Sequence, residues 1–519
     1  MKVIYFTLIA ISLIGCALYY RPTSRIEFLN SKGRDSIEYG ELYRPGFHFT
    51  PPKNWMNDPN GLVYFEDEYH LFYQYNPEGD QWGHMSWGHA VSKDLTHWEN
   101  LPLALPEYDG WMIFSGSAVA DSKNTSGFCT SSKGCLVAMF TAAASSHQAQ
   151  SLAYSNDKGR TWTYYAGNPV IDEKLADFRD PKVFWHEPSQ KWIVSTVLAT
   201  QYQIRFYSSP DLIHWTRLSE FGPDGLTQTI WECPDLFQMT IEGTNETKWI
   251  LSFSYYTDRA RIAYFIGDFD GVTFKETNPS SPFTQFMEDG RDYYAAVTWN
   301  NVPDGRRLAI GWAGDWSYLA VTPTAPWKGV MSFVRELTLK NTSLGLRIKE
   351  SPVRELEALR VAQAASYKNV RLDSERAAVV DSNVTGAQLE INVTFSFEKS
   401  ADVPKEFGLK VFAGENQETL IGYDVGSQSL YIDRTNSGVT SFHSDFPDRV
   451  STKFLDNQGK LSLHILVDQS IVEVFDSYNA VAMTDLIFPD PSKAAVQFYV
   501  VGGKANVDFF DAWILKSTW

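Results

Sequence analysis

Apolar residues along this chain come in short runs, and long amphipathic stretches of helical period are hard to find. Runs rich in Val, Ile, Phe, Tyr and Trp are punctuated throughout by Gly, Pro, Asn and Asp, a pattern that favours strands and turns over helices. From Leu389 the alternation is regular. Leu389, Ile391, Val393, Phe395 and Phe397 face one way, and Glu390, Asn392, Thr394, Ser396 and Glu398 the other. The same period of two runs through Leu461, Leu463, Ile465 and Val467, as in antiparallel sheets with one wet face. An all-β chain is predicted.

The front part also repeats. Ser92-Lys93-Asp94-Leu95-Thr96-His97-Trp98 is echoed by Ser209-Pro210-Asp211-Leu212-Ile213-His214-Trp215, and more loosely by the segments closing on Trp162 and Phe274. These closing aromatics lie 64, 53 and 59 residues apart, room each time for four short strands, which reads as a β-propeller. The repeat is gone from the back part. Between them, Glu350 to Lys368 is charged and Ala/Leu-rich with a proline at 352, and reads as a linker with one or two helical turns. The expected order is a propeller over 40–345, a linker over 346–369 and a β-sandwich over 370–519.

At the N-terminus Lys2 precedes an apolar run from Val3 to Ile14, then Gly15, Cys16 and Ala17, the layout of a secretory signal over residues 1–20. A run reaching Tyr20 also fits an uncleaved anchor, and Leu13-Ile14-Gly15-Cys16 resembles a bacterial lipoprotein cleavage site. No later stretch approaches the roughly 20 apolar residues of a membrane span, so an exported protein is expected, with no membrane partner beyond that segment. Sequons begin at Asn124, Asn245, Asn341, Asn383 and Asn392, which suits glycosylation on a secretory route. Cys129 and Cys135 bracket a short turn and are candidates for a disulfide in an oxidising compartment, and Cys233 is left as a buried free thiol.

Composition narrows the classes. With 44% hydrophobic and 21% charged residues, the chain is globular rather than disordered. Its formal charge of −17 argues against a nucleic-acid partner, which needs a basic face. An aromatic content of 15% fits either a cleft that stacks on flat ligand faces or a strand-rich core.

Three acidic motifs carry the candidate chemistry. Trp55-Met56-Asn57-Asp58-Pro59-Asn60-Gly61 and Phe178-Arg179-Asp180-Pro181-Lys182-Val183 read singly as turn chemistry or a local ion pair. In Trp231-Glu232-Cys233-Pro234-Asp235 the acid stands between apolar neighbours, which would raise its pKa toward that of a general acid. These carboxylates are 122 and 52 residues apart, on different predicted blades, and in a propeller all three can reach one channel mouth. Convergent carboxylates are what glycoside hydrolysis needs, one as nucleophile or base and one to protonate the leaving oxygen. The chain has no Gly-x-Ser-x-Gly elbow, His-Glu-x-x-His pair, phosphate loop or Cys-x-x-Cys pair, and its ten histidines lack metal-ligand spacing. No metal or other cofactor is expected.

Together, Asn57-Asp58-Pro59-Asn60-Gly61, Arg179-Asp180-Pro181 and Glu232-Cys233-Pro234 resemble the signatures of glycoside hydrolase family 32, the β-fructofuranosidases that include invertases, exo-inulinases and levanases. Leu71 to Pro77, Trp87 to Ala90, Phe114 to Ser117, Asp292 to Ala295 and Arg335 to Leu337 are similar too, and the likeness runs from about Arg44 to the C-terminus. The resemblance implies a five-bladed propeller followed by a C-terminal β-sandwich. It also implies retaining hydrolysis of a terminal fructofuranosyl unit from a small or polymeric fructoside. By that likeness Asp58 is the nucleophile, Glu232 the acid and base, and Asp180 the holder of fructose hydroxyls, with Arg179 keeping Asp180 ionised. Asn57, Gln74, Trp82, Phe114, Ser117, Arg179 and Trp316 are the implied substrate-binding residues. A fructosyltransferase with the same site, or a fructan-binding protein without turnover, are the alternatives.

The chain departs from the family pattern in places. Val334 stands where proline usually precedes Arg-Glu-Leu, and Ala313 and Asp315 stand where Met and Asn are more usual. Asp315 is therefore expected to add a charge beside the acceptor subsite. Gln469, where Arg is common, reads as a change on the surface.

Overall fold

Five sheets follow one another in the front part, each with a core of four antiparallel strands in sequence order from the inside out. The innermost strands are Asn54–Phe65, Met112–Ala120, Phe178–His186, Trp231–Thr240 and Tyr294–Thr298. This is a five-bladed propeller. The structure, a computed structural model, describes residues 39–277, 285–376, 379–399, 402–476 and 478–519, so the expected leader over 1–20, with Cys16, lies outside the described residues. Among the described residues no helix is long and apolar enough to cross a membrane, and the helices are four 3-10 turns.

The repeat read from the sequence is the turn that joins the third and fourth strands of the first four blades. In each, an aspartate caps backbone N–H groups just after it. Asp94 accepts from Thr96 and His97, Asp157 from Thr161, Asp211 from Ile213 and His214, and Asp270 from Val272 and Thr273, the local bonding that favours Asp in turns. Two closing tryptophans bond back into the turn, Trp162 to Gly159 O at 3.0 Å and Trp215 to Leu212 O at 2.7 Å. Part of the aromatic surplus is thus turn architecture.

Polar side chains of the innermost strands fill the propeller axis. Asn60 Oδ1 accepts the Gly116 N–H, Ser117 Oγ donates to Pro181 O and accepts from Val183 N, and Lys182 donates to Asp235 and Thr298 O. Asn300 Nδ2 closes the ring by donating to Ala118 O and Val183 O. All of these side chains are buried, and their mutual bonding satisfies groups that would otherwise cost free energy inside the protein.

Two six-stranded antiparallel sheets form the back part, with an apolar core between them that includes Ile391, Phe395, Ile465 and Val467. Gly345–Pro352 is the outer strand of the fifth blade, and Arg360–Asp373 is the edge strand of a sandwich sheet. Between them stands a 3-10 turn, Arg354–Leu359. Most of the stretch expected as a linker is therefore strand. Arg360–Asp373 conceals this because nearly all its side chains are exposed or half-exposed, so it lacks the alternation that marks a half-buried strand.

The two parts share an apolar cluster that includes Phe333 and Val334 on one side and Phe475 and Phe488 on the other. Charged groups are buried in the same interface. Asp468 accepts the N–H groups of Gly46, Phe47 and His48 and faces His48 Nδ1 at 2.9 Å, while His48 Nε2 lies 3.2 Å from Glu473. Arg335 reaches Glu350 and Glu473 at 2.6 Å each. Gln469, read as a surface change, is half-buried, with its N–H on Ala387 O and Oε1 buried without a partner. The expected disulfide joins Cys129 to Cys135, and Cys233 is free and buried.

Candidate active site

Three innermost strands break register where the acidic motifs fall. The shifts lie between Met56 and Pro59, between Arg179 and Lys182, and between Glu232 and Asp235. Pro59, Pro181 and Pro234 stand inside or at the end of these breaks, and proline has no N–H to give a ladder. Such bulges re-aim neighbouring side chains. Asp180 and Cys233 also adopt left-handed backbone, with φ of 62° and 47°, a conformation that costs a non-glycine residue energy and needs its surroundings to hold it. The three carboxylates converge as a result on one pocket of about 510 Å³.

Asp58 is buried and held at both oxygens. Asn57 Nδ2 donates to Oδ1 at 2.9 Å and Ser115 Oγ to Oδ2 at 2.7 Å, and the Cys233 thiol lies 3.4 Å from Oδ2. Asn57 is itself fixed by the Trp55 indole N–H at 2.8 Å. Burial pushes the Asp58 carboxyl above the usual range, the bond from Ser115 opposes it, and the charge of Glu232 adds to the rise. The bonds from Ser115 and Asn57 thus favour the ionised form a nucleophile needs.

Asp180 accepts the Cys233 N–H at 2.9 Å, and its own N–H donates to Thr141 Oγ1 at 2.9 Å. Burial pushes it up to about 7, with the Arg179 guanidinium opposing. Arg179 is engaged more closely elsewhere: its Nε and Nη2 both donate to Glu232 Oε1 at 3.2 Å, while its nearest approach to Asp180 is 3.8 Å. Tyr294 Oη donates to Glu232 Oε2 at 2.8 Å.

Glu232 does not sit in the apolar setting its neighbours suggest. Trp231 is buried against Phe253, with centroids 4.0 Å apart, and its indole donates to Leu226 O. The glutamate projects the other way, onto Arg179 and Tyr294, with its side chain 23% exposed.

Asn57, Gln74, Trp82, Phe114, Arg179 and Trp316 line the pocket with the three acids. Gln74 is anchored by a bond to Ile113 O at 3.0 Å. Trp82 and Trp316 are the exposed aromatics of the rim, at 47% and 39%. Ser117 does not line it. A bulge between Phe114 and Gly116 inserts Ser115 as an extra residue, which places Phe114 and Ser115 in the wall and leaves Ser117 in the propeller axis. Glycine follows because a Cβ at 116 would meet Met139 O at 2.1 Å.

Asp315 does not face the pocket either. Its side chain is fully buried, paired with Arg291 Nε at 3.1 Å, and accepts from Tyr256 Oη at 2.8 Å. Tyr256, Tyr294, Ser115, Gln148, Asp177, Thr229 and Ile230 complete the lining. Tyr294 falls within one of the stretches that carry the family likeness and Asp177 stands two residues before Arg179, so signals existed for both.

Among the described residues Glu78, His84 and Glu107 bring metal-type ligand atoms within 4.8 Å of one another. They do not line the pocket, and both His84 nitrogens already face carboxylates, at 2.8 and 3.5 Å, as in ordinary ion pairs.

Comparison with known proteins gives the same direction. The family models described as "Glycosyl hydrolases family 32 N-terminal domain" and "Glycosyl hydrolases family 32 C terminal" match residues 48–349 and 355–514. The chain is 46% identical to a levanase of Bacillus subtilis (strain 168) over 93% of its own length and 72% of that protein. It is similar in structure to an exo-inulinase from Aspergillus awamori, with a TM-score of 0.86 and 35% identity over 93% of this chain and 100% of that one. A fructofuranosidase from Schwanniomyces occidentalis complexed with fructose has a TM-score of 0.85 and 32% identity, again over 93% of this chain and 100% of that one.

Proposed function

The chain belongs to glycosyl hydrolase family 32, and from that premise we propose that Asp58 is the nucleophile, Glu232 the acid and base, and Asp180 the transition-state stabiliser of a retaining reaction. The protein hydrolyses terminal β-D-fructofuranosyl residues of sucrose or fructans, and it acts outside the cell. The observation that supports the residue roles is that carboxylates from three blades meet in one pocket with three different sets of partners.

In the first step an Asp58 oxygen forms a bond to the anomeric carbon of the fructosyl unit while the bond to the leaving oxygen breaks. Glu232 gives that oxygen its proton. The glutamate is left as an anion between Arg179 and Tyr294, whose hydrogen bonds favour that charge. In the second step Glu232 takes a proton from water, the water oxygen bonds to the anomeric carbon, and the ester to Asp58 breaks. Asp180 accepts from fructose hydroxyls, and its charge stabilises the oxocarbenium-like transition state. The stitched axis closes the pocket at its base, so a terminal unit enters and the rest of the chain leaves over the rim formed by Trp82 and Trp316.

Incubation with sucrose, inulin and levan tests the reading. Free fructose is expected from at least one, and its absence from all three refutes it. Product chromatography at high sucrose distinguishes hydrolysis from transfer to a second sugar.

A further inference from the structure

Tyr256 and Trp316 both line the pocket, and Asp315, in a loop of the fifth blade, is bonded to the first and precedes the second in the chain. Trp316 is held flat against Trp55, with centroids 6.0 Å apart and planes at 25°, and packs on Trp312 at 4.9 Å. Asp315, the residue before it, accepts three bonds at Oδ1, from Tyr256 Oη, from Ser317 N at 2.8 Å and from Ser317 Oγ at 2.6 Å. Its Oδ2 accepts from Arg291 Nε. Arg291 in turn reaches Asp448 of the sandwich at 3.4 Å, and its N–H donates to Asp485 at 2.7 Å. Every group that meets the Asp315 carboxyl is a donor.

An asparagine here can satisfy Tyr256 and Ser317 with its oxygen but would turn its NH₂ toward the Arg291 N–H, donor against donor. Asp315 and Arg291 are thus a matched pair, and Tyr256 is the part of their network that touches the pocket. We propose that Asp315 is a positioning residue for the leaving-group side of the pocket, acting through Tyr256 and Trp316 on whatever is bonded to the fructosyl unit. The proposal rests on the fructoside-hydrolase reading above. It predicts an effect that depends on the leaving group, since the fructosyl unit itself is held by Asp58, Asp180 and their neighbours.

The test compares sucrose and 1-kestose, whose leaving groups are sugars, with methyl β-D-fructofuranoside, whose leaving group is methanol. Loss of one hydrogen bond to a charged group is worth roughly tenfold or more, so Asp315→Asn and Tyr256→Phe should each raise KM for the two sugars about tenfold or more with kcat within about threefold, the pattern of lost uniform binding. The ratio of kcat/KM for sucrose to that for the methyl glycoside should fall by a similar factor. Asp315→Asn with Arg291→Gln, which puts an acceptor opposite the new NH₂, should restore most of that ratio. Tyr256→Phe removes one hydroxyl at the rim and keeps the test alive if Asp315→Asn does not fold. Equal losses on all three substrates, or no change in the ratio for Tyr256→Phe, overturn the proposal. If the wild-type protein releases fructose from none of them, it is the fructoside-hydrolase reading that fails.

Discussion

Replacing Ser115 with Ala removes the 2.7 Å hydrogen bond to Asp58 Oδ2 and little else, because Ser115 is the inserted residue of a bulge. A hydrogen bond to a charged group contributes about 1.5–3 kcal/mol, and one pKa unit corresponds to about 1.4 kcal/mol. The bond favours the ionised carboxylate, so its loss should raise the pKa that governs Asp58 by about 1–2 units. The attack requires the ionised form, and kcat/KM falls on the acid side as this group protonates. The acid limb of the kcat/KM profile for sucrose should therefore move about 1–2 units to higher pH in Ser115→Ala. Ser117→Ala is the control: it removes two buried bonds in the axis, to Pro181 O and from Val183 N, and should cost about 1–3 kcal/mol of stability with the acid limb in place. An unmoved limb in Ser115→Ala, or a shift to lower pH, refutes the reasoning.

Glu232→Gln should lower kcat/KM for sucrose by about 10²–10⁴, the usual worth of a positioned acid, with an unchanged circular dichroism spectrum; wild-type rates would remove Glu232 from the mechanism. At the interface, His48 between Asp468 and Glu473 is pushed up to about 9 by those two carboxylates against the opposing effect of burial. Its stabilisation is complete below about pH 6.5 and is lost as pH rises through about 9, with a magnitude on the order of 3 kcal/mol. The Tm difference between wild type and His48→Gln should shrink over that window, and a gap that widens with pH contradicts it. Arg335→Met leaves Glu350 and Glu473 buried without their partner and should cost about 3–5 kcal/mol, read from the urea midpoint.

What the sequence disclosed was what lies contiguous in it. The three acidic motifs are local strings, and each is a bulge with its proline, so their residue types and order survive as text. The third-to-fourth-strand turn is likewise local, an Asp with its nearby N–H groups, and it marks four of the five blades. Contacts made across the fold were harder to see. Ser115 and Ser117 flank one glycine, and only the strand register shows which of them the bulge turns into the pocket. The neighbours of Glu232 in sequence are apolar, but its neighbours in space are Arg179 and Tyr294, 53 and 62 residues away. Asp315 reads as a charge beside the acceptor subsite and Gln469 as a surface change, yet one is fully buried beside an arginine and the other is half-buried with its Oε1 enclosed. Arg360–Asp373 shows the converse, a strand hidden by its own exposed side chains.

The covalent role of Asp58 is the central claim, and one measurement reaches it directly. Glu232→Gln should still accept a fructosyl unit from fructosyl fluoride, whose leaving group needs no acid, and should then be slow to lose it without the base. Acid-quenched protein, digested and mapped by mass spectrometry, is expected to carry one hexosyl unit on the peptide that contains Asp58. A hexosyl unit on Asp180 instead, or fructose released with no adduct at any time point, contradicts the account.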